Sequence, residues 1–185
     1  MLGLDIRRAS PDEIAVAYAI DDDACSLYAE AGLPLDFAPD HPFVVAEHTR
    51  WATAAREGHV YFAQHPTFGP AGLLVLGIVA GEPHVEQLSV LRIAMQQGIG
   101  RRLLSHAIAW AADRPLWLTT YAHLPWNRAF YESAGFASVP EDRCPAPIVE
   151  ILAEQRRWLP APDQRIAMRR SRPGLVAPNA GGTRT

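Results

Sequence analysis

The chain has 185 residues, 49% hydrophobic and 20% charged, a length and composition that fit one globular domain with a substantial core. Its net charge of −3 offers no basic excess, so nucleic acid is not an expected partner. The longest apolar stretches, such as 71–80, are far shorter than a membrane span, and the opening Met-Leu-Gly-Leu-Asp-Ile-Arg-Arg has no secretory pattern, so a cytoplasmic chain with no membrane partner is expected.

In chain order, Gly3 to Arg8 reads as a strand, and Ser10-Pro11-Asp12-Glu13 reads as a capping box with proline at the first helical position. Ile14, Ala17, Tyr18, Cys25 and Tyr28 have helical spacing, with an interruption expected at Asp21-Asp22-Asp23. Gly32 to Pro42 is loop. A second helix is expected from about Phe43 to Arg56, ending at Gly58. His59 to His65 and Ala71 to Ala80 alternate as strands joined by Pro66 to Pro70. His84 to Leu91 is a further strand, followed by a helix carrying Leu103, Leu104, Ala107, Ile108 and Ala111 on one face up to Pro115. Leu116 to Tyr121 is a strand, Pro125 precedes a short helix that Gly135 ends, and a weak helix spans Ile148 to Trp158. The last strand is Arg165 to Arg169, which makes 1–170 one domain, and the Gly- and Pro-containing tail 171–185 reads as disordered.

Residues 85–104 carry the strongest chemical signal. A strand runs into Gln96-Gln97-Gly98-Ile99-Gly100 and then into a helix that opens with Arg101 and Arg102. A turn of this kind directs free backbone N–H groups and the positive end of the helix dipole at one point, which is a phosphate site. Gly98 and Gly100 let the backbone approach an anion closely and permit positive φ. A P-loop is excluded, because the glycines are one residue apart and no lysine follows. A dinucleotide fingerprint is excluded as well, because Leu103 stands where its third glycine belongs.

A second segment follows the strand Leu116 to Tyr121: Leu-Pro-Trp, then Asn127-Arg128-Ala129-Phe130-Tyr131, then Gly135-Phe136. Together the two segments resemble the acyl-CoA site of the GCN5-related N-acetyltransferases (GNAT), and the resemblance covers roughly residues 4–170. Met95 departs from the family pattern, which usually has Gln or Arg at that position. The resemblance implies an α/β (α+β) acyl-CoA N-acyltransferase fold: a mixed sheet of six to seven strands flanked by helices on both faces, with the fourth and fifth strands splayed. It implies acetyl-CoA as co-substrate and acetyl transfer to a primary amine, of a small molecule or alternatively of a peptide or protein. A homodimer is common in the family. A non-catalytic acyl-CoA sensor with the same fold is the rival from another class.

By the same resemblance Leu88, Ser89, Val90, Gln96, Gln97, Gly98, Ile99, Gly100, Arg101, Asn127 and Tyr131 bind the cofactor, with the backbone of Leu88–Val90 polarising the thioester carbonyl. Tyr131 is the candidate acid for the departing thiolate, since a phenol is protonated at neutral pH; its bland alternative is a core tyrosine beside Phe130 and Phe136. Asn127 reads equally as a helix N-cap. Glu86 is the candidate general base: strand alternation puts it on the face of Leu88 and Val90, where desolvation would raise its pKa. Asp21, Asp22 and Asp23 are either an exposed helix break or a seat for a cationic amine. His123 and Trp126 flank the same loop and read as packing or pocket residues. Cys25 and Cys144 lie outside both motifs, which argues for direct attack rather than an acyl-enzyme. The seven histidines show no metal-ligand spacing, so no metal is expected. Acceptor specificity is expected to come from 17–56 and 140–160.

Overall fold

The capping box forms as read. Ser10 N–H donates to Glu13 Oε2 at 2.9 Å, and the short 3-10 turn it closes leads into the first helix. The computed structural model describes residues 4–171; the tail expected over 171–185 therefore lies, apart from Ser171, outside the described residues. Seven strands and five α-helices alternate along it: β1 Asp5–Arg8, α1 Ile14–Glu30, α2 Pro42–Arg56, β2 Val60–His65, β3 Gly69–Val79, β4 Glu82–Val90, α3 Ile99–Ala111, β5 Leu116–Tyr121, α4 Arg128–Glu132, β6 Phe136–Val139, α5 Ala146–Trp158 and β7 Arg165–Arg170. The strands make one mixed sheet in the order β1-β2-β3-β4-β5-β7-β6.

Two elements differ from the sequence reading. α1 does not break at Asp21–Asp23 but runs unbroken for 17 residues. Asp21 Oδ1 accepts from Ser89 Oγ at 2.5 Å and from Gln87 Nε2, and Asp23 Oδ2 accepts from the Arg92 N–H at 2.6 Å. These acids dock α1 onto β4 and the turn after it, so they strengthen the helix's seat instead of ending it. The second difference is β6, which has only four residues and pairs β7 along its length; β7 thereby lies between β5 and β6.

Alternation divides the core between the two faces of the sheet. Leu74, Leu76, Val85, Leu116, Leu118 and Met168 pack beneath α3, with Leu88, Val90, Phe130 and Tyr131 at the margin. Phe62, Leu73 and Val75 pack against Ile20 of α1 and Trp51 of α2 on the opposite face. Trp117 and Ala167 meet Ile148 and Leu152 of α5 there too.

The parallel pair β4–β5 holds the key irregularity. It hydrogen-bonds only at His84↔Trp117 and Val85↔Leu118. Beyond these, β4 stays paired to β3 and β5 to β7, so the sheet opens into a gap between its two halves. A β-bulge marks the place: the β3–β4 register shifts between Val75↔Gln87 and Leu76↔Val85, leaving Glu86 as the extra residue. Bulges bend a strand and increase its twist, and this one sits where β4 parts from β5.

Gly72 of β3 sets how closely α3 lies on the sheet. A Cβ there would come within 2.7 Å of Ile99 Cγ2 and 2.9 Å of Leu103 Cδ1, below any tolerable contact. Gly72→Ala is expected to lower stability by about 1–3 kcal/mol through overpacking, read from urea unfolding; an unchanged midpoint would show that α3 moves freely on the sheet.

Candidate active site

Two cavities adjoin at the β4–β5 gap, and residues of α1 line both. The larger, about 580 Å³, runs from the N-terminus of α3 to Trp126, Phe130 and Tyr131. The smaller, about 290 Å³, lies under α1, α2 and α5. Asp21, Tyr28, Leu88, Asn127 and Tyr131 line both. A molecule reaching in from one side therefore meets one from the other at these residues.

The larger cavity is built for an anion at one end. Gln96 at φ 62° and Gly98 at φ 81° put two left-handed residues within three positions, which turns the chain sharply into α3. Gly98 is the N-cap, and the first helical bond runs from Arg102 N–H to Gly98 O at 3.1 Å, so the N–H groups of Ile99, Gly100 and Arg101 have no partner within the helix. Such a concave run of N–H groups at the positive end of a 13-residue helix binds phosphate oxygens. Arg101 and Arg102 are both exposed there, and among the described residues no carboxylate lies within ion-pair distance of either. Gly100 has no positive φ; its role is to keep the floor low beside Phe130, Leu88 and Val90.

At the other end, the ladder frees backbone donors. Leu91 N–H donates to Ala71 O at 2.9 Å, so by antiparallel alternation the N–H groups of Ser89 and Gln87 also face β3. Those of Leu88 and Val90 face the gap, where no strand pairs with them.

Of the residues expected to bind the cofactor, Leu88, Ser89, Val90, Gln96, Gly98, Ile99, Gly100, Arg101, Asn127 and Tyr131 all line the larger cavity, together with Met95. The Gln97 side chain turns away: its Oε1 lies 3.2 Å from His65 Nε2 and its amide donates to Ile93 O at 3.3 Å. Asn127 is the N-cap of α4 without capping it through its side chain, which donates instead to the Tyr28 hydroxyl at 3.4 Å. Tyr131 is held edge-on between Phe130 and Phe136, with centroids at 5.1 and 5.9 Å. Its hydroxyl makes no hydrogen bond among the described residues, and burial pushes the phenol above its usual range, which keeps it a proton donor. Trp126 lines the larger cavity, while His123 is exposed beside Tyr121.

Glu86 is not where alternation put it. Being the bulge residue, it points away from Leu88 and Val90, toward α2: Oε2 is 3.7 Å from Arg50 Nε and Oε1 is 3.5 Å from His84 Nδ1. Its pKa argument reverses as well. Burial pushes the carboxyl up, but His84 and then Arg50 outweigh it, and the net direction is down.

The sequence reading missed one carboxylate that does shift upward. Glu47 lies one turn after Phe43 and one turn before Trp51, on the buried stripe of α2, and lines the smaller cavity. Burial, followed by the charges of Asp21 and Glu86, pushes it up to about 8, with Arg50 and Arg165 opposing. An acidic residue on the apolar stripe was the available signal. Asp21 is also raised, chiefly by burial, against its bonds from Ser89 and Gln87. Cys25 lines both cavities, but burial and the nearby Asp21 push its thiol far up, so it is no thiolate nucleophile. Arg165, also unremarked in the sequence, is 7% exposed and lines the smaller cavity. No group of three or more potential metal ligands occurs among the described residues, and none of their helices is long and apolar enough to cross a membrane.

Because Glu47 ionises near 8 in the folded chain and near 4.5 when unfolded, the stability it contributes is complete below about 4.5 and is lost as pH rises through 8. Glu47→Gln is expected to gain on the parent in melting temperature steadily between pH 5 and 8; a difference independent of pH would place the carboxyl in water.

A protein-family model described as an acetyltransferase (GNAT) domain matches residues 39–138, more than half of the chain. Solved structures share the fold at low identity. An acetyltransferase of the GNAT family from Staphylococcus aureus Mu50 is 15% identical over 91% of this chain and 98% of its own, with a TM-score of 0.65. A PaiA N-acetyltransferase from Thermoplasma acidophilum in complex with coenzyme A is 12% identical over 92% and 99%, with a TM-score of 0.64. The N-acetylglutamate synthase of Neisseria gonorrhoeae, complexed with coenzyme A and N-acetyl-glutamate, is 18% identical with a TM-score of 0.63; the match takes in 92% of this chain but only 35% of the synthase. The motif residues, the divided sheet and the family match agree: the chain belongs to the GNAT acetyltransferase family.

Proposed function

We propose that the acetyl group passes to the primary amine of a small molecule, by direct attack in the β4–β5 gap. The observation that carries this reading is the meeting of the two cavities at Tyr131 and Leu88. The α3 turn, with Gly98, Gly100 and Arg101, suits the pyrophosphate of acetyl-CoA, and Asn127 and Val90 flank the path of its pantetheine arm. The smaller cavity then takes the amine, and about 290 Å³ is at the low end of the range for small-molecule sites.

Bound in the larger cavity, acetyl-CoA supplies an acetyl group activated as a thioester. The Leu88 N–H, unpaired and facing the gap, hydrogen-bonds the carbonyl oxygen where negative charge develops. Glu47 accepts the proton that the amine loses, directly or through one water; a group ionising near 8 is well matched to that task. The amine nitrogen bonds to the carbonyl carbon as the C–S bond breaks, and the Tyr131 hydroxyl gives its proton to the sulfur. Glu86, held ionised beside His84 and Arg50, keeps the pKa of Glu47 high by repulsion. It is also the second candidate base, since it lines the same cavity.

Thermal unfolding tests the co-substrate site without knowledge of the acceptor. Acetyl-CoA at ~100 times its dissociation constant should stabilise the fold by about 2.7 kcal/mol, a rise on the order of 5–10 °C for a chain of this size; no rise at millimolar ligand would sink the reading. For the chemistry, the parent kcat/KM should climb with pH toward a midpoint near 8. Glu47→Gln is expected to remove that limb and to cost about 10²-fold or more, with Tyr131→Phe costing a similar factor in kcat. A limb that survives Glu47→Gln and disappears in Glu86→Gln would move the base to Glu86.

A further inference from the structure

Arg165 opens β7 opposite Tyr121, with its guanidinium 4.6 Å from the centroid of that ring. It is among the most deeply enclosed charges in the chain, at 7% exposure. The protein satisfies it only in part. Nη2 donates to Gln155 Oε1 at 2.7 Å and to Thr119 Oγ1 at 3.3 Å, both neutral groups, and buried Nε has no partner. Among the described residues no carboxylate comes within ion-pair distance of it, whereas Arg50 reaches Glu86 and Glu154, and Arg156 reaches Glu141. A buried cation without a counter-charge is costly, and a planar fork fixed by an aromatic face and a glutamine is preorganised for a carboxylate.

The rest of the cavity has the opposite sign. Asp21, Asp22, Glu47 and Glu86 line it, and Arg165 is the one arginine among its lining residues. The guanidinium lies close enough to the reacting end for its charge to be felt at both Glu47 and Tyr131. Cation seat and anion seat are thus within the length of one small molecule.

We infer that the acceptor is an amino-acid-type substrate, whose carboxylate binds Arg165 while its amine lies among Glu47, Asp21 and Glu86 at the gap. This rests on the smaller cavity being the acceptor site. The ammonium form is drawn in by the carboxylates, loses a proton there and attacks, while the carboxylate end sets the depth at which the nitrogen stops. Gln155 and Tyr121 position the guanidinium and do not themselves meet the reacting atoms.

The test compares free amino acids with their C-terminal carboxamides as acceptors, following CoA release for the parent, Arg165→Gln and Arg165→Lys. The parent is expected to favour at least one free acid over its carboxamide by about tenfold or more in kcat/KM, the factor a charge-assisted hydrogen bond supplies. Arg165→Gln should abolish that preference, mainly through KM, with the free acid losing about tenfold more kcat/KM than its carboxamide; Arg165→Lys should retain part of it. The preference is a ratio measured on one protein sample, so a loss of folded fraction does not mimic the result. Equal use of acids and carboxamides by the parent overturns the inference, as does an equal fall for both in Arg165→Gln, which would make Arg165 a clamp between α5 and β7. Should acetyl-CoA raise the melting temperature while no amino acid is acetylated, the inference fails and the co-substrate site stands; should acetyl-CoA give no shift, the reading of both cavities fails first.

Discussion

Strands β4 and β5 share two rungs of hydrogen bonds and then part, and the functional groups of the molecule are arranged around the edges this exposes. A sheet that lets go in its middle forfeits ladder bonds, and unpaired buried N–H and C=O groups are penalised. Here they face a cavity instead of packed core. The N–H groups of Leu88 and Val90 thereby become donors for a ligand, and Tyr131 on α4 can stand over the opening. The two halves stay in register because each is firmly paired on its outer side, β4 with β3 and β5 with β7. The packing of α3 on β3 and β4, set by Gly72, fixes the Gly98 turn relative to that opening.

The electrostatics of the smaller cavity follow from where the surrounding elements put their charges. Of the four carboxylates that line one small space, Asp21, Glu47 and Glu86, from α1, α2 and β4, do not all ionise at neutral pH. Glu86 takes the negative charge because His84 and Arg50 lie beside it. Asp21 keeps its place through Ser89 and Gln87. Glu47 has no comparable partner and is left holding a proton near neutrality. The division of labour among the three is a matter of which neighbour each one has.

What could be read from the sequence was local. The Gly98 turn is a matter of backbone dihedrals and the first four residues of a helix, and Asn127 and Tyr131 share a single turn of α4, so short-range spacing carried both. What could not be read depended on contacts distant in the chain. Asp21 looked like a helix breaker because its partners, Gln87 and Ser89, lie more than sixty residues away. Glu86 was given the wrong face because period-two reasoning has no means of seeing one extra residue in a strand. Glu47 and Arg165 belong to elements with no recognisable motif, and only the docking of α2 and β7 around one cavity gives them a chemical meaning.

The bulge at Glu86 also bears on how such a chain can vary. Side chains in a strand change face with every residue, so a change of one residue in the length of β4 would reverse half the strand while leaving composition almost untouched. Val85 and Leu88 face the α3 side while Glu86 and Gln87 face α2 and α1, and both assignments hold only for this residue count. Insertions and deletions are therefore closed to β4 even where substitutions are open. Change of length is left to segments outside the ladder, such as the loop 31–41, whose Leu35, Phe37 and Pro39 line the smaller cavity.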